Sequence, residues 1–130
     1  MKYLIMGALA LSGLLVYQPS FSQTKWVTPP AFRSVKNPIA GNAASITSAK
    51  AIYTSTCAPC HGKKGRGDGP AAIALNPKPA DYTAASIQAE TDGSLFWKMT
   101  TGRGAMQSYK ATLTDQQRWG LVNYIRTFRK

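Results

Sequence analysis

Residues 57–61, Cys57-Ala58-Pro59-Cys60-His61, decide how this sequence is interpreted. They hold both cysteines and the single histidine of a 130-residue chain. On a helix, residues three apart lie about one turn apart on one face, so both thiols and the following imidazole can reach the same bound group. The stretch therefore predicts a binding site built from Cys57, Cys60 and His61.

Several kinds of site use two cysteines at this spacing. A thioredoxin-like redox pair normally follows a β-strand, and no strand pattern precedes Cys57. A structural zinc site takes four ligands, more than the chain's cysteines and histidine supply. A disulfide this short closes a tiny loop and adds little stability. The redox pair and the disulfide stay open, but neither explains why the histidine follows Cys60. Covalent c-type haem attachment is the leading interpretation.

Helical patterns flank the motif on both sides. Asn42 is a suitable N-cap for a helix within residues 43–56, whose apolar residues recur at helical spacing. Thr114 and Gln117 form a capping box before an aromatic-rich helix over about residues 115–128. Shorter helices are expected over residues 70–75, 84–89 and 92–101. Since no strand pattern stands out, the expected fold class is all-α, with four to five helices and long loops wrapped around one haem.

The beginning of the chain differs in composition from the rest. Residues 1–22 combine a basic start, a short apolar run and small residues, so we predict a signal peptide cleaved before Gln23 and a periplasmic or otherwise exported protein. An uncleaved membrane anchor stays open, although a spanning helix needs about 20 apolar residues. Residues 23–42 contain three prolines and are expected to form an irregular arm, which leads into a domain over residues 43–130.

The chain is strongly basic, with 16 Lys and Arg against 5 Asp and Glu and a net charge of +11. Such a charge suits an acidic protein, an anionic membrane or nucleic acid. The predicted export and the lack of a dense basic run argue against nucleic acid. Six cations in segments near the predicted haem form a candidate docking ring: Lys63, Lys64, Arg66, Lys98, Arg103 and Lys110.

Haem iron commonly takes a second axial ligand, and methionine is the choice that raises the reduction potential. With no second histidine present, methionine is the natural candidate. Met99 lies in a predicted helix among apolar residues, where methionine usually fills the core. Met106 lies in a loop between Gly102 and Tyr109, so we predict that His61 and Met106 are the iron ligands.

Taken in order, Cys57–His61, Gly67–Pro70, the Met106 loop and the aromatic C-terminal helix resemble the class I c-type cytochromes, in particular the small bacterial mono-haem type. The resemblance covers roughly residues 43–128. It implies a small cytochrome c fold and one covalently bound haem c. Many relatives have proline after the ligand methionine, whereas Gln107 stands here, so we expect a looser loop.

The resemblance also implies roles for single residues. The carbonyl of Pro70 is expected to accept the Nδ1–H of His61 and so orient the ring. Ala49 and Tyr53 on the first long helix are expected to cross the last helix near Leu121 and Tyr124. The expected haem-pocket wall consists of Leu75, Trp97 and Tyr109.

The function that these features predict is a single-electron carrier with redox-protein partners that offer acidic surfaces, and not an enzyme. No residue is assigned a catalytic role. Two alternatives remain. The chain could be a haem subunit fixed in a membrane redox complex, or a five-coordinate haem protein that binds peroxide or a diatomic ligand if Met106 does not ligate iron.

Overall fold

The computed structural model describes residues 25–130 and confirms the all-α fold class, with no β-strand in this part of the chain. The α-helices in chain order are α1 (Pro30–Arg33), α2 (Ala43–Ile52), α3 (Ala58–His61), α4 (Ala85–Gln88), α5 (Asp92–Thr101) and α6 (Asp115–Arg126). A π-helical turn at Tyr53–Cys57 joins α2 to α3, and a 3₁₀-helix covers Pro70–Ala74. The predicted signal peptide, residues 1–22, lies outside the described residues.

Side-chain caps set where the longer helices begin. The Asn42 side chain accepts a hydrogen bond from Ser45 N at 2.8 Å and starts α2, as predicted. The capping box at α6 is confirmed in both directions, since Thr114 Oγ1 accepts from Gln117 N and Gln117 Oε1 accepts from Thr114 N. These caps fix the two helices that carry the core.

The core forms where α2 crosses α6. The Tyr53 ring is 1 % exposed and lies 5.0 Å from the Tyr124 ring, which confirms the predicted crossing. Gly120 permits the close approach, because a Cβ there would lie 3.2 Å from Ser45 O and 3.5 Å from Ala49 Cβ. The fully buried residues Leu121 and Val122 follow it on α6. Ala49 was expected at this crossing, whereas the role of Gly120 was not identified from the sequence.

The arm differs from the expected irregular segment, because it contains α1 and packs against α5. Gly93 lies under it, and a Cβ there would come within 2.1 Å of Phe32 O. The Phe32 and Trp97 rings lie 6.0 Å apart. Asn37 donates to Asp92 at 3.0 Å and to Asn123 at 2.8 Å, so the arm is joined to both α5 and α6. Residues 25–42 are therefore part of the folded body.

A hydrogen-bonded cluster closes the far end of α6. Arg126 pairs with Asp92 at 2.8 Å and donates to the carbonyls of Gln88 and Glu90. Gln88 in turn donates to the carbonyls of Tyr82 and Ile125. Within residues 25–130, none of the helices has the length and apolar character needed to cross a membrane.

Candidate haem-attachment site

In the chain, the attachment motif comes directly after the part of α2 that crosses α6. Ala58 N donates to Tyr53 O across the π-helical turn, and α3 then places Cys57 to His61 in one turn of helix. Gly62, with a φ of +80°, ends α3 and donates to Ala58 O at 2.9 Å. The phenol of Tyr53 donates to Gly62 O at 2.8 Å. The core ring therefore holds the end of the attachment segment in place.

The two cysteines are free thiols, and both are partly buried. Burial, and after it the neighbouring Cys60, raises the pKa of the Cys57 thiol to about 12. Reactive cysteines in redox motifs have lowered pKa values because the thiolate is the attacking species. A thiol that stays protonated argues against a thioredoxin-like pair and suits a site where both sulfurs become neutral thioethers.

His61 is buried and held through its ring nitrogen Nδ1, which lies 3.0 Å from Ala80 O. Because a carbonyl oxygen only accepts, Nδ1 carries the proton and Nε2 is left as an acceptor with a lone pair. Burial lowers the pKa of His61 from its ordinary value, and the hydrogen bond to Ala80 opposes this in part. The imidazole is therefore neutral and bears a lone pair that can bind iron.

The acceptor of this hydrogen bond is Ala80, and the sequence-based assignment to Pro70 is corrected. Pro70 begins the 3₁₀-helix and is exposed. The segment around Ala80 reaches His61 because it crosses the glycine-rich loop: Tyr82 N donates to Gly65 O at 2.6 Å, and a Cβ on Gly67 would lie 2.5 Å from Pro79 O. Such a long-range crossing leaves no periodic signal in the sequence.

Tyr82 covers one face of His61 and was also missed by the sequence analysis. The two rings are stacked, with centroids 4.4 Å apart and an interplanar angle of 14°. Tyr82 Oη lies 3.2 Å from His61 Nε2. Because Nδ1 carries the proton, Tyr82 Oη donates to Nε2. Tyr82 therefore occupies the nitrogen that would bind iron.

The predicted second ligand lies in a tightly folded loop. Met106 is partly buried against the core, and its backbone exchanges two hydrogen bonds with Arg103, at 2.7 and 3.0 Å. Gly102, with a φ of +66°, allows the loop to fold back, since a Cβ there would lie 2.5 Å from the backbone of Gln107. Met99 is 4 % exposed in α5, as expected for a core residue.

The three residues expected to form the haem-pocket wall occupy different environments. Burial, and after it the neighbouring Cys57, raises the pKa of Tyr109 above its ordinary value. The effect of Cys57 shows that Tyr109 lies close to the attachment motif. Leu75 is partly buried at the end of the 3₁₀-helix. Trp97 packs against the rings of Trp26 and Phe32, so its position is explained by contact with the arm.

Four of the six cations of the predicted docking ring fall into two groups, and the other two, Arg66 and Lys110, are exposed. Lys98 pairs with Glu90 at 2.5 Å and also lies over the Trp26 ring, near which Arg103 lies as well. These two cations therefore belong to the α5–arm side. Lys63 and Lys64 line an open cleft of about 500 Å³ beside the attachment motif, together with Thr54, Ala58, Pro59, Gly62, Asp68, Gly69 and Pro70.

Comparisons with known proteins agree with this geometry. The family model described as "Cytochrome C oxidase, cbb3-type, subunit III" matches residues 44–125. No curated protein sequence matches the chain.

Three solved structures have folds similar to this chain, and two of them are cytochromes by name. The Kuenenia stuttgartiensis reducing HAO-like protein complex Kustc0457/Kustc0458 is 29 % identical with a TM-score of 0.65, over 74 % of this chain and 50 % of that one. The chain thus spans about half the length of this relative. The KustC0563 c-type cytochrome is 25 % identical with a TM-score of 0.56, over 63 % of this chain and 98 % of that one. Cytochrome CL from Methylophaga aminisulfidivorans MPT is 18 % identical with a TM-score of 0.57, over 83 % of this chain and 71 % of that one. At this identity the likeness shows the fold alone.

The donor set fits the cofactor that this family binds. Two thiols and a neutral imidazole whose Nε2 is unprotonated occur in the C-x-x-C-H order that haem c requires. Cys57, Cys60 and His61 would hold the haem, which supplies a redox-active iron. The chain belongs to the cytochrome c family described by the cbb3-type subunit III model, and it is a small class I c-type cytochrome with covalently bound haem c.

Proposed function

We propose that this cytochrome carries single electrons through one haem c whose iron is bound by His61 and Met106. The observation that carries the proposal is the state of His61: neutral, protonated on Nδ1 and held by Ala80 O at 3.0 Å. An imidazole fixed in this way keeps its position in both iron oxidation states. Little nuclear rearrangement then accompanies electron transfer.

Met106 is the second ligand in this proposal because of its loop. Met99 is enclosed in the α5 core, whereas Met106 is only partly buried in a segment fixed by Gly102 and by the Ser108 Oγ bond to Thr100 O at 2.6 Å. The same segment contains Tyr109, whose pKa responds to Cys57 and Cys60. A thioether sulfur on a segment that comes close to Cys57 through Tyr109 suits a six-coordinate iron of raised potential.

The test is an absorption spectrum of haem-loaded protein, oxidised and reduced, for the natural chain, Met106→Ala and the control Met99→Leu. We expect a low-spin spectrum with a sulfur-to-iron charge-transfer band that disappears only in Met106→Ala. The reduction potential of that variant should fall by roughly 100 mV, within the ~0.8 V range that axial ligands span. A high-spin natural protein that binds peroxide or a diatomic ligand would instead support the five-coordinate alternative.

The partners in this proposal are redox proteins with acidic docking surfaces. Lys63 and Lys64 are exposed beside the attachment motif and flank the cleft there. The variant Lys63→Gln/Lys64→Gln should slow oxidation by an anionic iron complex and leave oxidation by a cationic cobalt complex unchanged or faster. Rates that change equally with both reagents would contradict electrostatic steering at this site.

The protein acts outside the cytoplasm in this proposal, because covalent haem attachment and the composition of residues 1–22 both suit an exported chain. The mass of the mature N-terminus decides between a free carrier and an anchored subunit of a membrane redox complex. A chain that begins at Gln23 would support the free carrier, and a chain that keeps residues 1–22 would support the anchored form.

A further inference from the structure

The arm carries a surface that electron transfer at the haem does not use. It lies outside the matched family region, residues 44–125, and its inner side is fixed to α5 through Gly93 and Trp97. The arm also exposes three apolar side chains within nine residues: Val27 at 61 %, Val35 at 42 %, and Phe32 at 44 %, although one part of the Phe32 ring packs on Trp97. Isolated exposed apolar residues are common, but a group on one short segment indicates a contact surface.

The arm itself carries cations and no carboxylate, and the one carboxylate bonded to it, Asp92 of α5, contacts Asn37 at its end. Lys25, Arg33 and Lys36 are all exposed on the same segment. The first acidic residue of the sequence is Asp68, so no negative charge in residues 25–67 offsets them. The surface with which the arm makes contact is therefore expected to be anionic.

We propose that this arm face, Lys25, Val27, Phe32, Arg33, Val35 and Lys36, binds the surface of an anionic lipid bilayer. Apolar and aromatic side chains that enter the headgroup boundary, flanked by Lys and Arg, are the features of an interfacial membrane contact. A specific protein partner would need some 20–30 residues a side, far more than this face supplies. The apolar run that precedes the arm in the sequence would bring the same face to the membrane if it is retained.

The fold prepares the arm for this contact. Asn37 holds the end of the arm to Asp92 and Asn123, and Phe32 N and Arg33 N both donate to Pro29 O. Because the arm is already ordered, binding to lipid costs little additional conformational entropy. Docking through the arm would keep the cytochrome at the membrane surface.

The test is co-sedimentation of the full chain, matured with its haem, with vesicles of equal parts phosphatidylglycerol and phosphatidylcholine or of phosphatidylcholine alone. The natural protein should bind the anionic vesicles more tightly. Arg33→Gln/Lys36→Gln should weaken that binding about fivefold for each cation removed, and Phe32→Ser about tenfold. The matched controls are Lys63→Gln/Lys64→Gln and Ile73→Ser, which removes an apolar side chain that is 86 % exposed outside the arm.

A second measurement works even if residues 1–22 remain and bind every vesicle. Anionic vesicles should slow tryptic cleavage after Arg33 and Lys36 more than cleavage after Lys63 and Lys64, and phosphatidylcholine vesicles should do so less. The proposal would be overturned if the arm variants and the control variants weakened vesicle binding equally. It would also be overturned if trypsin cut the arm sites equally fast with and without anionic vesicles. An acidic protein as the true partner would give that second result.

Discussion

The helical framework and the haem-attachment region are stabilised in different ways. Where α2 crosses α6, buried apolar side chains and Gly120 pack directly, and the helix starts carry their own caps. Around His61, loops are held by backbone carbonyls and by a stacked tyrosine. The framework is thus specified by local sequence, whereas the attachment region depends on segments that meet over long sequence distances and on the haem they enclose.

Tyr53 belongs to both regions, so its removal should have the largest effect. Its ring contacts Tyr124 and Phe128 on one side and Tyr82 on the other, and its hydroxyl donates to Gly62 O. Tyr53→Ala should lower the free energy of unfolding by about 3–5 kcal/mol. Tyr53→Phe, which loses only the hydrogen bond, should lower it by about 1 kcal/mol. Urea denaturation measures both values, and equal losses would mean that the ring packing contributes little.

Substitution of Arg126 tests whether the helical framework and the attachment region are independent of each other. Arg126→Met removes the partner of Asp92 and the donor to two carbonyls, and should cost about 3 kcal/mol. The control Arg129→Met removes an exposed side chain with one bond to Gln88 O and should cost about 0.5 kcal/mol or less. The haem spectrum should be unchanged in both variants. A changed spectrum in Arg126→Met would show that the two regions are not independent.

Substitution of two glycines in the Met106 loop should have the smallest effects on stability, and the two sites can be compared directly. Gly102 and Gly104 both have positive φ, at +66° and +56°, but only a Cβ at Gly102 would meet backbone atoms within 4 Å. Gly104→Ala should cost about 1 kcal/mol for the backbone conformation alone. Gly102→Ala should cost about 2 kcal/mol because of the added crowding. With Met106 as the proposed iron ligand, Gly102→Ala should also speed the displacement of Met106 by imidazole, and similar exchange rates in both variants would contradict this.

Local signals in the sequence were sufficient for part of this molecule. The caps at Asn42 and Thr114, the helices they start and the attachment motif depend on residues close together in the chain, so they could be predicted. The Ala80 acceptor, the Tyr82 stack and the arm contact with Trp97 arise from segments that meet only after folding. For that reason Pro70 was assigned a bond that Ala80 makes, and the arm was expected to be irregular.

The π-helical turn at Tyr53–Cys57 has a consequence for how such proteins can diverge. It holds one residue more than an α-helical turn, and each helical residue turns the chain by about 100°. The direction in which the attachment motif leaves α2 is therefore set by the length of this segment as well as by its contacts. Loss or gain of a single residue here would rotate Cys57–His61 about the helix axis, so a one-residue change could alter which protein surface adjoins the motif without any substitution in the core.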